Sequence, residues 1–437
     1  MWCGNMRLIF LLVASMLAGI ATPRVFSIPA DLPPVETRLQ KMEFHVVWEE
    51  AFDKKIKDVA WGETEDGRLY PKIIVFEDEV RFHDPNSVLL KTIPLSSKRV
   101  GDIIFSKKGD YVGIPVMTEV PTKSEKGKIV LTIYTRRGEK HCRFDKDVEF
   151  DGSSPGFSIS DRDGSFVESY GAAQRLTFRD GKAKVRREVD LFEGDEWTYK
   201  RDMKSSSSGD GRLFAVLATK KFVQGTQYVD QTDDPNIYVI LFDENGKELW
   251  RKPINEHAPT CLSISSQGKY LLAGGENRAG GSGITSQSQY LLDRNGSLIM
   301  TYHIGGRCRF SQNEEYLTIA GQNTIGLIQT STGELLWSKQ FSYSTDSRRS
   351  QWRRIVHLDI SGNGALVGVS STTYRRRKGG RDAIPSDLVF INNEGQLVAE
   401  KEPPSEAKEI FFKINSDATE IVEVAKTRLI KSRKLEQ

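Results

Sequence analysis

Two stretches of the 437-residue chain hold side chains that could do chemistry together. One carries Arg348, Arg349, Trp352, Arg353 and Arg354; the other carries Tyr374, Arg375, Arg376, Arg377, Lys378 and Arg381. From Ser342 to Asp382 nine Lys or Arg stand against Asp346, Asp359 and Asp382, a local excess of six positive charges. Guanidinium groups interleaved with Trp and Tyr bind anions through forked hydrogen bonds and stacking. The pattern suits an acidic protein, acidic polysaccharide, a phosphate or an anionic lipid headgroup. A second, sparser set is Asp102, Arg307 and His357, with Asp359 two positions past His357. These could surround a small molecule or a metal ion if the fold brings them together, although such a mouth is polar and hydrated in any case.

Other patterns carry little. Asp230, Asp233 and Asp234 lack the spacing of an EF-hand loop. Asn295-Gly296-Ser297 has the form of a glycosylation acceptor but falls in a tight turn. There is no phosphate loop or Cys-x-x-Cys pair, and no metal or cofactor is expected. Lys+Arg is 62 and Asp+Glu 59, for a net charge of +3, which argues against a nucleic-acid binder and makes the basic stretch stand out. Apolar residues at 38% and charged residues at 28% fit a folded domain, not a polytopic membrane protein.

The N-terminus reads as a targeting segment. Arg7 precedes the apolar run Leu8–Ala21, which is followed by Thr22, Pro23 and Arg24. A positive start, a short apolar stretch and small residues describe a secretory signal, with cleavage after Ala21 or Ser27. The run is short for a span, which takes about 20 apolar residues. The expected division is a signal over 1–27, a linker over 28–42 and one domain over 43–437. Location is then periplasmic or extracellular, with membrane contact only through an uncleaved leader. Removal of Cys3 leaves Cys142, Cys261 and Cys308, so one bridge or free buried thiols are both open.

The remainder repeats. One half-unit is a strand, a Ser or Asn, a tight turn and a second strand, marked by Ser106, Ser160, Gly211, Ser265, Ser311, Ser361 and Asn415. The other is a strand, an Asx-x-x-Gly turn and a strand often bearing Trp, clearest at 238–250 and 326–337. A period near 50 with two-residue alternation predicts four-stranded propeller blades. The copies predict blades at about 56–95, 101–146, 156–192, 203–254, 260–304, 308–341 and 355–402. The last copy, 409–434, lacks a fourth strand, and Phe44–Trp48 is the candidate to supply it. The fold class is therefore all-β: an eight-bladed β-propeller of four-stranded antiparallel blades closed by an N-terminal strand. Seven blades is the alternative, because blade 1 is the least regular.

Asp243–Trp250 and Thr330–Trp337 resemble the PQQ-like (quinoprotein) propeller repeat, found also in BamB-like proteins. The Ser-x-x-Gly-x-Tyr half-unit resembles WD40-like repeats. The resemblance implies a propeller but no substrate. Quinoprotein dehydrogenases have adjacent cysteines and BamB-like proteins a lipidated cysteine; neither is present here, so neither activity is implied.

In a propeller the B–C and D–A connections share one face, and here they are the long ones: 117–128, 222–236, 274–287, 341–354 and 372–386. Both basic stretches fall on that face. The sequence thus predicts an exported, non-catalytic binding or scaffold propeller that takes a protein or anionic ligand there. The alternative is an exported propeller enzyme (hydrolase, lyase or oxidoreductase) working at the channel mouth through Asp102, Arg307 and His357.

Overall fold

A computed structural model describes residues 25–26, 42, 44–95, 102–119, 126–148, 156–170, 175–192, 203–219, 237–254, 256, 258–279, 283–321, 324–341, 351–377, 380–401 and 410–434. These form eight antiparallel sheets and no helix. The strands of a blade are labelled A to D from the inside out. The sheets comprise Asp58–Pro94, Ile104–Val148, Gly156–Asp190, Met203–Ile254, Ala258–Tyr302, Arg307–Gln340, Gln351–Lys401 and Ile410–Lys434. Each of the first seven supplies its own four strands, so blade 1 is complete and the count is eight. The fourth strand of blade 8 is Phe44–Ala51, paired antiparallel with Arg428–Lys434. Val25–Phe26 lies parallel to Thr301–Tyr302 outside blade 5. The rest of the expected leader and linker falls outside the described residues, Met42 excepted.

The repeated residues have one physical job each. Six blades hold a buried Ser or Asn whose side-chain oxygen accepts the amide five positions on, which closes the A–B turn; in blade 4 that residue is Ser208 and not the expected Gly211, and in blade 3 buried Ser160 accepts Arg162 N instead, at 3.1 Å. Tyr111 N donates to Ser106 Oγ at 2.9 Å, Leu213 N to Ser208 Oγ at 3.1 Å and Tyr270 N to Ser265 Oγ at 3.0 Å. Tyr316 N and Leu366 N do the same to Ser311 and Ser361, each at 3.0 Å, and Glu420 N to Asn415 Oδ1 at 2.8 Å. A buried hydroxyl without such a partner would cost stability, so serine and the turn imply each other. In the C–D turns an Asx side chain accepts two amides. Asp243 Oδ1 takes Asn245 N and Lys247 N, both at 2.9 Å.

These turns also lock neighbouring blades. Trp250 Nε1 of blade 4 donates to Arg294 O in the blade 5 turn at 2.8 Å. Tyr302 of blade 5 donates to Gly333 O at 2.8 Å, and Trp337 Nε1 of blade 6 to Asn393 O at 3.0 Å. The turn glycine is required twice over at Gly395. Its φ is +81°, and a Cβ would lie 2.9 Å from Trp337 Cγ. Between the sheets the core is apolar, as where Leu217, Val239 and Leu241 of blade 4 meet Ile264 and Leu271 of blade 5.

Two of the long connections differ from expectation, and a third does so in its described ends. The segments 274–287 and 372–386 are in large part extended strand, and in 117–128 the strands run on to Glu119 and resume at Gly127. Blade 7 pairs Leu366–Arg377 with Gly380–Asn392 out to Arg377 opposite Gly380. Its A strand starts at Gln351, ahead of the expected 355. Thr372, Thr373, Tyr374 and Ile384 favour extended backbone, and pairing satisfies their amides without water.

Candidate functional site

Two features stand on or beneath the long-connection face. The first is a three-stranded ribbon at the rim of blade 7. Its register sets Trp352 opposite Tyr374, Arg353 opposite Thr373 and Arg354 opposite Thr372. Arg375 pairs with Gln351 on one side and Asp382 on the other, and Arg376 pairs with Arg381. The two basic stretches are thus neighbours in one sheet. Arg348, Arg349 and Lys378 lie outside the described residues, as do Asp230, Asp233 and Asp234.

The second is the central channel. A cavity of about 1120 Å³ is lined by inner strands of blades 2 to 7. Arg307 and His357 line it; Asp102 is exposed and is not among its lining residues. His357 Nε2 donates to Phe412 O of blade 8 at 2.8 Å, and its ring meets Phe411 and Phe412 edge-on at 5.5 and 4.8 Å. Burial pushes it down to about 4; Arg309 and Arg307 add to this, while Asp359 and the Phe412 carbonyl oppose. The imidazole is therefore neutral near pH 7. Asp359 is buried, its Oδ2 accepts Ile414 N at 2.9 Å and its Oδ1 accepts Lys413 Nζ at 3.1 Å. Both residues stitch blade 7 to blade 8.

Lys107, Lys204 and Arg309 also reach this cavity, and the sequence reading passed over them. Lys107 extends from the A–B turn of blade 2 and donates to Ile264 O of blade 5. It is open to the channel space but flanked closely by protein. Burial pushes it down to about 8 with Arg309 adding; Glu314, Asp161 and Cys308 oppose. Arg309 could have been found by the spacing that linked Asp359 to His357, since it lies two positions past Arg307. Lys107 and Lys204 have no such signal, because only ring closure brings blades 2 and 4 to one channel.

The three described cysteines are free, and Cys142 is buried in blade 2, away from the others. The Cys261 and Cys308 thiols, from the A strands of blades 5 and 6, hydrogen-bond to one another across the channel wall. That bond holds Cys308 below the usual thiol range against burial, with Arg309, Ser263 and Lys107 assisting. The same bond, then burial, pushes Cys261 well up. No group of three or more His, Cys, Asp or Glu that could hold a metal occurs among the described residues.

No family model and no curated protein matches the sequence. Solved structures do resemble the fold. The C-terminal WD40 domain of Sif2 superposes with a TM-score of 0.52 at 9% identity, over 92% of this chain and 100% of that one. The Dos1 propeller gives 0.52 at 11% identity, over 89% and 95%. At such identity the likeness is one of fold alone, and that fold is a WD40-like, eight-bladed β-propeller.

Proposed function

We propose that the chain is a non-catalytic binding or scaffold propeller that docks an acidic protein segment on the blade 7 ribbon. The observation that carries this reading is the register that makes Arg353, Arg354, Arg375, Arg376, Arg377 and Arg381 neighbours beside the Trp352–Tyr374 pair. A propeller rim is a rigid platform, so a charged ribbon there binds without ordering itself first. The structural ties of His357 and Asp359 to blade 8 favour binding over acid–base catalysis at the channel mouth. The Arg7–Ala21 leader supports export to a periplasm or the outside; N-terminal sequencing of the exported chain tests that part.

The docking test is a salt titration with poly-glutamate, run beside an acidic polysaccharide, anionic vesicles and an oligonucleotide. Poly-glutamate should bind most tightly, weaken with salt and be lost in an Arg375→Ser, Arg376→Ser, Arg377→Ser variant. Binding indifferent to that variant sinks the reading. Preference for the polysaccharide or vesicles replaces the protein partner with that ligand.

A further inference from the structure

We propose that the central channel is a second binding site, for a compact, multiply charged oxyanion of the phosphate class. The site is separate from the blade 7 ribbon and stands or falls independently of it. Its first support is the charge on the wall. Lys107, Lys204, Arg307 and Arg309 come from blades 2, 4 and 6 and all line the cavity, whereas Glu276 is the one carboxylate lining it among the described residues. Glu276 Oε2 accepts from Gln287 Nε2 at 3.1 Å and so faces a donor already.

The second support concerns Lys107, Lys204 and Arg309. Lys204 and Arg309 make no hydrogen bond or ion pair among the described residues, and Lys107 donates to a neutral carbonyl. Glu314 and Asp161 act on Lys107, and Asp58 lies within the field of Arg309, but no ion pair ties any of these carboxylates to Lys107 or Arg309 among the described residues. Burial is the main cause that lowers Lys107 and His357, and Arg309 adds to it at both, so the wall cations sense one another. A bound dianion offsets their charge.

The third support is the neutral part of the wall. Ser205, Ser206 and Ser207 of blade 4, Ser158 of blade 3 and Ser263 of blade 5 place hydroxyls around the same space. Hydroxyl donors beside guanidinium and ammonium groups form the usual phosphate cradle. A single carboxylate ligand would engage one of these cations; several cations on different strands match several charges on one small centre. The volume admits an esterified phosphate as readily as the free ion.

Calorimetric titration of the full chain with orthophosphate, pyrophosphate, fructose 1,6-bisphosphate and uncharged fructose tests this. One saturable site per chain is expected for the phosphates and none for fructose. Tighter binding of the bisphosphate identifies an ester, and equal binding of orthophosphate identifies the free anion; both support the site. Arg309→Gln and Lys204→Gln should each weaken binding by roughly ten-fold, the scale of one charge-assisted hydrogen bond. The Arg375→Ser, Arg376→Ser, Arg377→Ser variant should bind phosphates as the wild type does. Absence of saturation overturns the proposal. So does unchanged affinity in both cavity variants, provided their urea midpoints match wild type, or loss of binding in the blade 7 variant alone.

Discussion

Cations at the blade seams and cations in the channel are the same residue types in opposite circumstances. At the seam of blades 8 and 1, buried Glu420 accepts from Lys431 at 2.8 Å, Arg433 at 2.6 Å and Leu69 N at 2.8 Å. At the seam of blades 2 and 3, Glu168 is fully buried between Lys146 and Arg179, and Arg179 lies over the Phe144 ring at 4.0 Å. In the channel Lys204 and Arg309 have no such partner among the described residues. A seam carboxylate makes a cation part of the frame, while a channel cation leaves its hydrogen bonds for something else. Sequence charge alone does not distinguish the two; the partner across the gap does.

The widest separation between the two classes should appear in stability. Glu420→Gln leaves Lys431 and Arg433 without their buried counter-charge and should cost roughly 3 kcal/mol in urea unfolding. Arg309→Gln should cost less than about 0.5 kcal/mol. Equal losses would erase the distinction. A pH series sharpens it. Burial acts to raise Glu420, but hydrogen bonds from Lys431, Arg433 and Leu69 outweigh it and hold the carboxyl below its usual 4.5. The stability from this seam is therefore full above about 4.5 and drains away as pH falls through the lower folded value. Lys107 works in the other direction. Folded, it loses its proton near 8, and unfolded near 10.5, so the folded chain holds fewer protons in between. Stability should climb across that window, and Lys107→Met should abolish the climb while leaving the acid limb unchanged. Another small effect belongs to the exposed Arg162–Glu244 pair at 2.7 Å, where Arg162→Ala should cost about 0.2–1 kcal/mol and vanish in high salt.

The blades were legible because each half-unit is a local contract between a side chain and its own turn. Ser265 and Tyr270, or Asp243 and Lys247, sit within one window of sequence, so the pattern repeats visibly. The D-strand tryptophans were legible as markers, but their partners, the turns of the next blade, were not. Of the channel wall, Arg307 and His357 were among the expected residues, whereas Asp102, expected with them, does not line the cavity. Lys107 was not expected, because its reach from blade 2 to Ile264 depends on the curvature of the closed ring. The hairpin at 372–386 looked like a loop because arginines and glycines obscured its β-branched run, and pairing overrode that composition.

The D strand of blade 8 sets a timetable. Arg428 pairs its charge with Glu49 at 3.3 Å across 379 positions of chain. Emerging at about 5–20 residues per second, the chain would hold Phe44–Ala51 without its sheet for some 20 to 75 s before Arg428–Lys434 exists to receive it. Seven blades can form as they appear, but the circle cannot. An exposed strand edge persists for that interval, so the step most open to mispairing is the last one.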